Sequence, residues 1–238
     1  NMIYSNLFYI LNNLKDEIHQ IKDENIFITG ATGFFGKWLL ETFLFLNKEL
    51  NLNISICSLS RNPNAFLRQY PHFEKEKSIN WIAGDVASFN FPKEQFDYII
   101  HAATDADAKL NSENPLLMLD TITEGTKRVL EFARMQKELK SFLLTSSGAV
   151  YGRQPEEISH IKETDSFYID ISNTESAYAE GKRLSELYCS IYRNQYNIPI
   201  KIARCFAFVG PYLPLNKHFA IGNFIRDGLI GKNISIKG

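Results

Sequence analysis

Apolar and polar positions along this chain fall into blocks that switch between two periods. Leu7, Ile10, Leu11, Leu14 and Ile18 recur at helical spacing, which predicts an amphipathic helix over residues 4–19 that packs on a neighbour. A polar turn, Lys22-Asp23-Glu24, follows. The run Asn25-Ile26-Phe27-Ile28-Thr29 is short, apolar and ends at a glycine, the pattern of a buried strand. Residues 37–47 contain no breaker and are rich in Leu and Phe, so a helix is expected there. The same reading predicts strands over 54–59, 80–83, 96–101, 141–145 and 200–204, and helices over 115–135 and 176–196. In the first of these helices Leu116, Leu119, Val129, Leu130 and Phe132 are the expected core positions. Strands that alternate with helices imply right-handed crossovers, hence an α/β fold with a parallel sheet and helices on both faces. The polar stretch 152–175 is long for a plain connection and reads as a binding loop.

Three glycines punctuate the first strand–helix junction, in Thr29-Gly30-Ala31-Thr32-Gly33-Phe34-Phe35-Gly36. The first lets the chain turn sharply out of the strand. The second lets backbone N–H groups approach a pyrophosphate, and the third lets helix and strand pack closely. The helix N-terminus then offers unsatisfied donors and partial positive charge to the phosphates. Between a strand and a helix, near the start of a series of βα units, this predicts a dinucleotide cradle in a Rossmann-type, doubly wound sheet.

The Gly-x-x-Gly-x-x-Gly spacing resembles that of the short-chain dehydrogenase/reductase family, in its extended branch, which acts largely on nucleotide sugars. Further motifs carry the resemblance in order: Gly84-Asp85-Val86, His101-Ala102-Ala103-Thr104, Ser146-Ser147-Gly148-Ala149-Val150-Tyr151-Gly152, Tyr178-Ala179-Glu180-Gly181-Lys182, Arg204-Cys205-Phe206 and Gly210-Pro211. It extends over residues 24 to 238. It implies a cofactor site made of Gly30, Thr32, Gly33, Phe34, Phe35, Gly36, Ser60, Arg61, Asp85, Val86, Ala102, Ala103, Thr104, Tyr178, Lys182 and Phe206. It also implies catalysis by Ser147, Tyr178 and Lys182, with Ser147 preferred over Ser146.

The residues suit that chemistry. Tyr178 and Lys182 are four apart and share a helix face. A free tyrosine, with a pKa near 10, is a poor base at neutral pH, and a nearby ammonium is expected to lower it. Tyr178 would exchange a proton with a sugar hydroxyl while hydride moves at the same carbon, and Ser147 would hold the reacting oxygen. Lys182 would also fix the nicotinamide ribose. After the second strand stands Ser58-Leu59-Ser60-Arg61 and no acid. Arg61 suits a 2′-phosphate, as in NADP, or an adenine face with NAD bound, so the cofactor is NAD or NADP.

Epimerisation needs no residue beyond these, and the expected activity is that of a nucleotide-sugar epimerase. A keto-sugar reductase using NADPH needs the same residues. A 4,6-dehydratase needs an additional acid and base, where this chain has Gly148 and Ala149. A non-catalytic dinucleotide sensor would keep the glycines without the Tyr/Lys pair. Ile122 and Ala207 replace asparagines frequent in the family, so sugar contacts are expected to differ. Leu213, Lys217, His218, Phe219 and Asn223 are the candidate sugar-nucleotide contacts.

Composition narrows the remaining classes. The chain has 238 residues, 45% hydrophobic and 22% charged, with formal net charge −1. That is enough to bury a full core, and it gives no basic field for nucleic acid. No apolar run approaches the roughly 20 residues that span a bilayer. Cys57, Cys189 and Cys205 show neither disulfide nor metal spacing, so no metal and a reduced, cytoplasmic location are expected. Asn1 ahead of Met2 reads as an expression-tag remnant. The expected organisation is an N-terminal helix (1–22), a dinucleotide-binding domain (23–205) and the start of a smaller substrate domain (206–238). Family members continue further, so residues 1–238 alone are expected to bind dinucleotide and to hold sugar nucleotide weakly. The two long helices from Pro115 and Ser176 are the expected homodimer contact.

Overall fold

This computed structural model describes residues 2–104, 108–216, 219–234 and 236, including the side chains of all but 15 and 16. Among them, six parallel strands form one sheet in the order β3-β2-β1-β4-β5-β6. These are β1 (Asn25–Thr29), β2 (Ser55–Ser60), β3 (Ile79–Ala83), β4 (Tyr98–His101), β5 (Ser141–Ser147) and β6 (Ile200–Cys205). The helices are α1 (Met2–Leu14), α2 (Phe34–Leu50), α3 (Pro63–Gln69), α4 (Ala108–Glu113), α5 (Pro115–Arg134), α6 (Ala177–Tyr196) and α7 (Ala220–Leu229). This is the doubly wound arrangement expected from the alternation of elements.

The sheet is buried on both faces, so its strands read as apolar runs. In β1, Ile26 and Ile28 join a cluster with Leu40 and Leu46 of α2 and Phe66 of α3. Phe27 points the other way, into a cluster with Val129, Leu130 and Phe132 of α5 and Cys189 of α6. Its ring lies 4.9 Å from that of Phe132 and 5.4 Å from that of Phe96. Each such fully buried side chain contributes roughly 1.5–3 kcal/mol.

Several elements depart from expectation. The N-terminal helix ends at Leu14 and tightens into a 3-10 turn, Lys15–Ile21. That winding brings Ile18 and Ile21, three apart, to the same cluster. Ahead of it, Tyr4 and Phe8 meet Phe45 of α2 edge-on. In α5, Leu116 is 67% exposed, and Met118 takes the buried position instead. The core face runs through Met118, Ile122, Val129 and Ala133, which leaves Leu116 outside the stripe. Helices α4 and α7 were not expected, and neither was α3. Asn62 caps it by accepting from the Ala65 N–H at 3.0 Å, and Pro63 occupies its first position.

Strand order reverses between β1 and β4, and their last residues, Thr29 and His101, are register partners. A buried hydrogen-bond chain pins this point. Thr126 Oγ1 donates to the Ile122 carbonyl at 2.7 Å. It therefore accepts from His101 Nε2 at 3.1 Å and from Ser185 Oγ at 2.9 Å. His101 Nδ1 then accepts from Thr29 Oγ1 at 2.7 Å, and Thr29 Oγ1 accepts from the Ala103 N–H at 3.2 Å. His101 is thus neutral, with its proton on Nε2, and every polar atom is used. Burial, with the Lys182 charge nearby, pushes its pKa down to about 3.

The junction of β1 and α2 allows no β-carbon at Gly30 or Gly36. A Cβ on Gly36 would lie 2.2 Å from the Gly30 carbonyl oxygen and 2.4 Å from Ala31 Cα. Gly36→Ala is expected to cost about 3 kcal/mol in urea unfolding and to weaken dinucleotide binding. An unchanged midpoint would contradict the close approach. The histidine gives a second expectation. Below pH 6.5 the unfolded chain protonates at this site and the folded chain does not until pH falls near 3, so acid removes stability. From pH 7 to pH 5 the site loses about 2 kcal/mol. The gap in urea midpoint between wild type and His101→Asn should shrink accordingly, and a constant gap would refute the neutral assignment.

Candidate functional site

The C-terminal ends of β1, β4 and β5 open into a cleft of about 670 Å³ at the switch point of the sheet. Gly30, Gly33, Phe34, Phe35, Gly36, Ala102, Thr104, Ser147, Tyr178, Lys182, Phe206 and Phe219 all line it. A second cavity of about 150 Å³ adjoins it and contains Thr32, Ser60, Arg61, Asp85, Val86 and Ala103. Gly30, Gly33, Ala102 and Thr104 line both. Every cofactor candidate from the sequence thus reaches one of two connected spaces. Asn223 does not. It lies on α7, where its Oδ1 accepts from Arg226 at 3.1 Å. Leu213 is buried, and its side chain faces Gly222 of α7. Lys217 and His218 fall outside the described residues.

The glycine turn shapes the cleft wall. Gly30 has φ +77, and a Cβ there would lie 2.5 Å from the Ala102 carbonyl carbon. Only glycine adopts this conformation without cost. Gly33 caps α2 with no side-chain hydrogen bond, so the first-turn N–H groups face the cleft. Those donors, a helix N-terminus and the lack of room for side chains fit a pyrophosphate. Phe35 stacks on Phe208 at 5.7 Å, and Trp38 Nε1 donates to the Pro211 carbonyl at 2.9 Å. Helix α2 thereby anchors the segment that leaves β6.

Tyr178 sits on the first turn of α6 and lines the cleft together with Ser147, whose Oγ accepts from the Ala149 N–H at 3.2 Å. The adjacent Ser146 turns away and donates to Glu186, which also holds Arg204. Lys182, one turn on, is 3% exposed. Its Nζ donates to Thr104 Oγ1 at 2.7 Å and to the Thr145 carbonyl at 2.9 Å. Burial brings its pKa down to about 8, against the opposing influence of Cys205 and Glu186.

The expectation that Lys182 acidifies Tyr178 needs correction for the chain by itself. Burial holds the Tyr178 pKa above its ordinary value, and the nearby Ser147 hydroxyl opposes this only in part. The two side chains share a helix face, but the ammonium is committed to the strand ends.

Sequence reasoning missed several residues of the site. Asn111, on α4, accepts from the Tyr178 N–H at 3.1 Å and donates to the Glu175 carbonyl at 2.7 Å. It caps α6 from another element and lines the cleft. No local signal marks it, because its partner is 67 residues away. The long loop is held by its main chain. Arg183 donates to the Val150 and Phe167 carbonyls, and Arg204 to that of Glu163. Gly148 lies against Phe206, where a Cβ would come 2.5 Å from the ring. Among the described residues no Asp or Glu lines the main cleft, no His/Cys/Asp/Glu group could hold a metal, and no helix is long and apolar enough to cross a membrane.

The sequence profile of the NAD dependent epimerase/dehydratase family matches residues 26–238. UDP-glucuronic acid decarboxylase 1 of Xenopus tropicalis is 26% identical over 215 residues, 90% of this chain and 48% of that protein. UDP-glucuronic acid decarboxylase 5 of Arabidopsis thaliana is 30% identical over 217 residues, 89% of this chain and 59% of that protein. The chain thus spans roughly half of these relatives' length. Among solved structures, a UDP-N-acetylglucosamine 4-epimerase from Methanobrevibacter ruminantium in complex with UDP-N-acetylmuramic acid shares the fold at TM-score 0.77. Its identity is 23%, over 91% of this chain and 66% of that one. A UDP-glucuronic acid 4-epimerase from Bacillus cereus in complex with UDP-glucuronic acid and NAD aligns at TM-score 0.73, with 22% identity over 90% and 66% of the two chains. The profile match over nearly the whole chain, on a sheet of this topology, makes this protein a member of the NAD dependent epimerase/dehydratase family.

Proposed function

We propose that the protein is an NAD-dependent nucleotide-sugar epimerase, and that Ser147, Tyr178 and Lys182 carry the reaction. The observation that carries this reading is that Ser147, Tyr178 and, one helical turn on, Lys182 line the same cleft as the glycine turn. The turn from Gly30 to Gly36 holds the pyrophosphate, and Lys182 Nζ orients the ribose. Ser60, Arg61, Asp85 and Val86 surround the adenosine end. Bound NAD supplies the hydride acceptor and a positive ring that favours the phenolate. Tyr178 Oη takes the proton of the sugar hydroxyl and later returns it, while Ser147 Oγ holds the same oxygen. Phe206 and Phe219 flank the sugar end.

NAD is favoured over NADP by charge. A 2′-phosphate dianion in the small cavity would meet Arg61 but also the Asp85 carboxylate. Dehydration is disfavoured because Gly148 and Ala149 cannot move protons and no carboxylate among the described residues lines the cleft. Loss of CO2 is the second reading, favoured by the decarboxylase relatives. Oxidation at C4 of a uronic acid creates a β-keto acid, which releases CO2 with no residue beyond those named. Exposed Leu116 and Leu117 of α5, with Leu187 and Ile191 of α6, suit a homodimer built on these helices.

Three outcomes are expected. Tyr178→Phe lowers kcat by about 10²–10⁴-fold while NAD affinity stays within a few-fold, by stopped-flow and fluorescence titration. Retained turnover would refute the role. NMR of mixtures with UDP-glucose, UDP-N-acetylglucosamine and UDP-glucuronic acid should show a C4 epimer that keeps all its carbons. A pentose product with CO2 release would replace the epimerase reading by the decarboxylase one. Leu187→Glu should convert a dimer into a monomer by light scattering, and an unaltered mass would move the interface elsewhere.

A further inference from the structure

We propose that Thr104 is a positioning residue for Lys182, its hydroxyl and the Thr145 carbonyl forming a seat that holds the ammonium where the two cavities meet. The inference rests on the reading of Lys182 as the group that orients the dinucleotide. Of the residues lining both cavities, Gly30, Gly33, Ala102 and Thr104, only the last carries a polar side chain. Its Oγ1 donates to the Ala103 carbonyl at 2.8 Å, so its proton is committed and its lone pairs are left to accept from Lys182 Nζ at 2.7 Å. The second acceptor is equally fixed. Thr145 Oγ1 donates to the His101 carbonyl at 3.2 Å, which ties that end of β5 to β4.

Two of the three ammonium donors are used in this way, and one remains for a ligand. The seat answers a physical problem. Lys182 is buried, and no ion pair of its own accompanies it among the described residues. Among the described residues, the titratable groups around it are Cys205 and Glu186, which favour the ammonium, His101, which is neutral, and Tyr178, one turn earlier on α6 in the same cleft. Glu186 is committed to Arg204 and Ser146. Neutral oxygen acceptors therefore carry the direct solvation of the charge, and they also aim it. Without the hydroxyl, the ammonium would keep a single oxygen and lose its fixed direction.

The test is a titration of Lys182 in the purified protein labelled with 13C at lysine Cε, with the signal assigned by Lys182→Met. Wild type is expected to titrate near about 8. Thr104→Val keeps the shape and removes the acceptor, so the lysine should titrate lower by about one pH unit. Thr104→Ser keeps the hydroxyl and should restore the titration. NAD binding by fluorescence should weaken several-fold in Thr104→Val, and its loss on raising pH should begin earlier. A valine variant that titrates as wild type overturns the proposal, whatever its thermal stability. If the titration moves but no nucleotide sugar is turned over, the seat stands and the epimerase reading falls. If turnover is found and the titration does not move, the reverse holds.

Discussion

The junction of β1 and α2 leaves no space for a side chain at Gly30 or Gly36, and much of the site follows from that exclusion. With Gly30 against Ala102 and Gly36 against the Gly30 carbonyl, the helix starts directly over the strand ends. Its uncapped N-terminus then faces the gap where strand order reverses. A dipole, free N–H donors and a cleft are brought together by main-chain contact alone. Side chains then fill in the chemistry around a frame that does not depend on them.

The second organising element is the hydrogen-bonded chain behind the cleft. It runs from Thr29 through His101 to Thr126 and Ser185, and so joins the end of β1 to β4, α5 and α6. Thr145 and Thr104 extend it to Lys182. Half-satisfied polar groups at this depth would be costly, and here the donors and acceptors pair off completely around a neutral histidine. The helix pair that carries Tyr178 and Lys182 is therefore held to the sheet by direction-specific bonds as well as by the apolar packing of Ile122 against Gly181.

What the sequence could reveal follows the range of the interactions. Strands, long helices and the glycine turn are local patterns, and they were readable to within a few residues. Ser147, Tyr178 and Lys182 lie in local motifs, and the structure brings them into one cleft with the turn. Asn111 could not be read, because a cap donated across 67 residues leaves no periodic trace. The effect of Lys182 on Tyr178 was misjudged for a similar reason. Spacing shows which helix face two side chains share, but only tertiary structure shows that the ammonium turns to Thr104 and Thr145. Leu116 shows the limit of periodicity at a helix end, where two residues, about half a turn, separate Met118 in the core from a leucine in solvent.

The arginines that restrain the loop beyond Tyr151 grip carbonyl oxygens at Val150, Glu163 and Phe167. A carbonyl is present whatever amino acid supplies it. Side chains along this loop can therefore be exchanged without loosening those tethers, while Arg183 and Arg204 stay put. Such a design separates the mounting of the loop from its content, and it would let a lineage vary the loop's sequence through substitutions that leave the framework's stability nearly untouched.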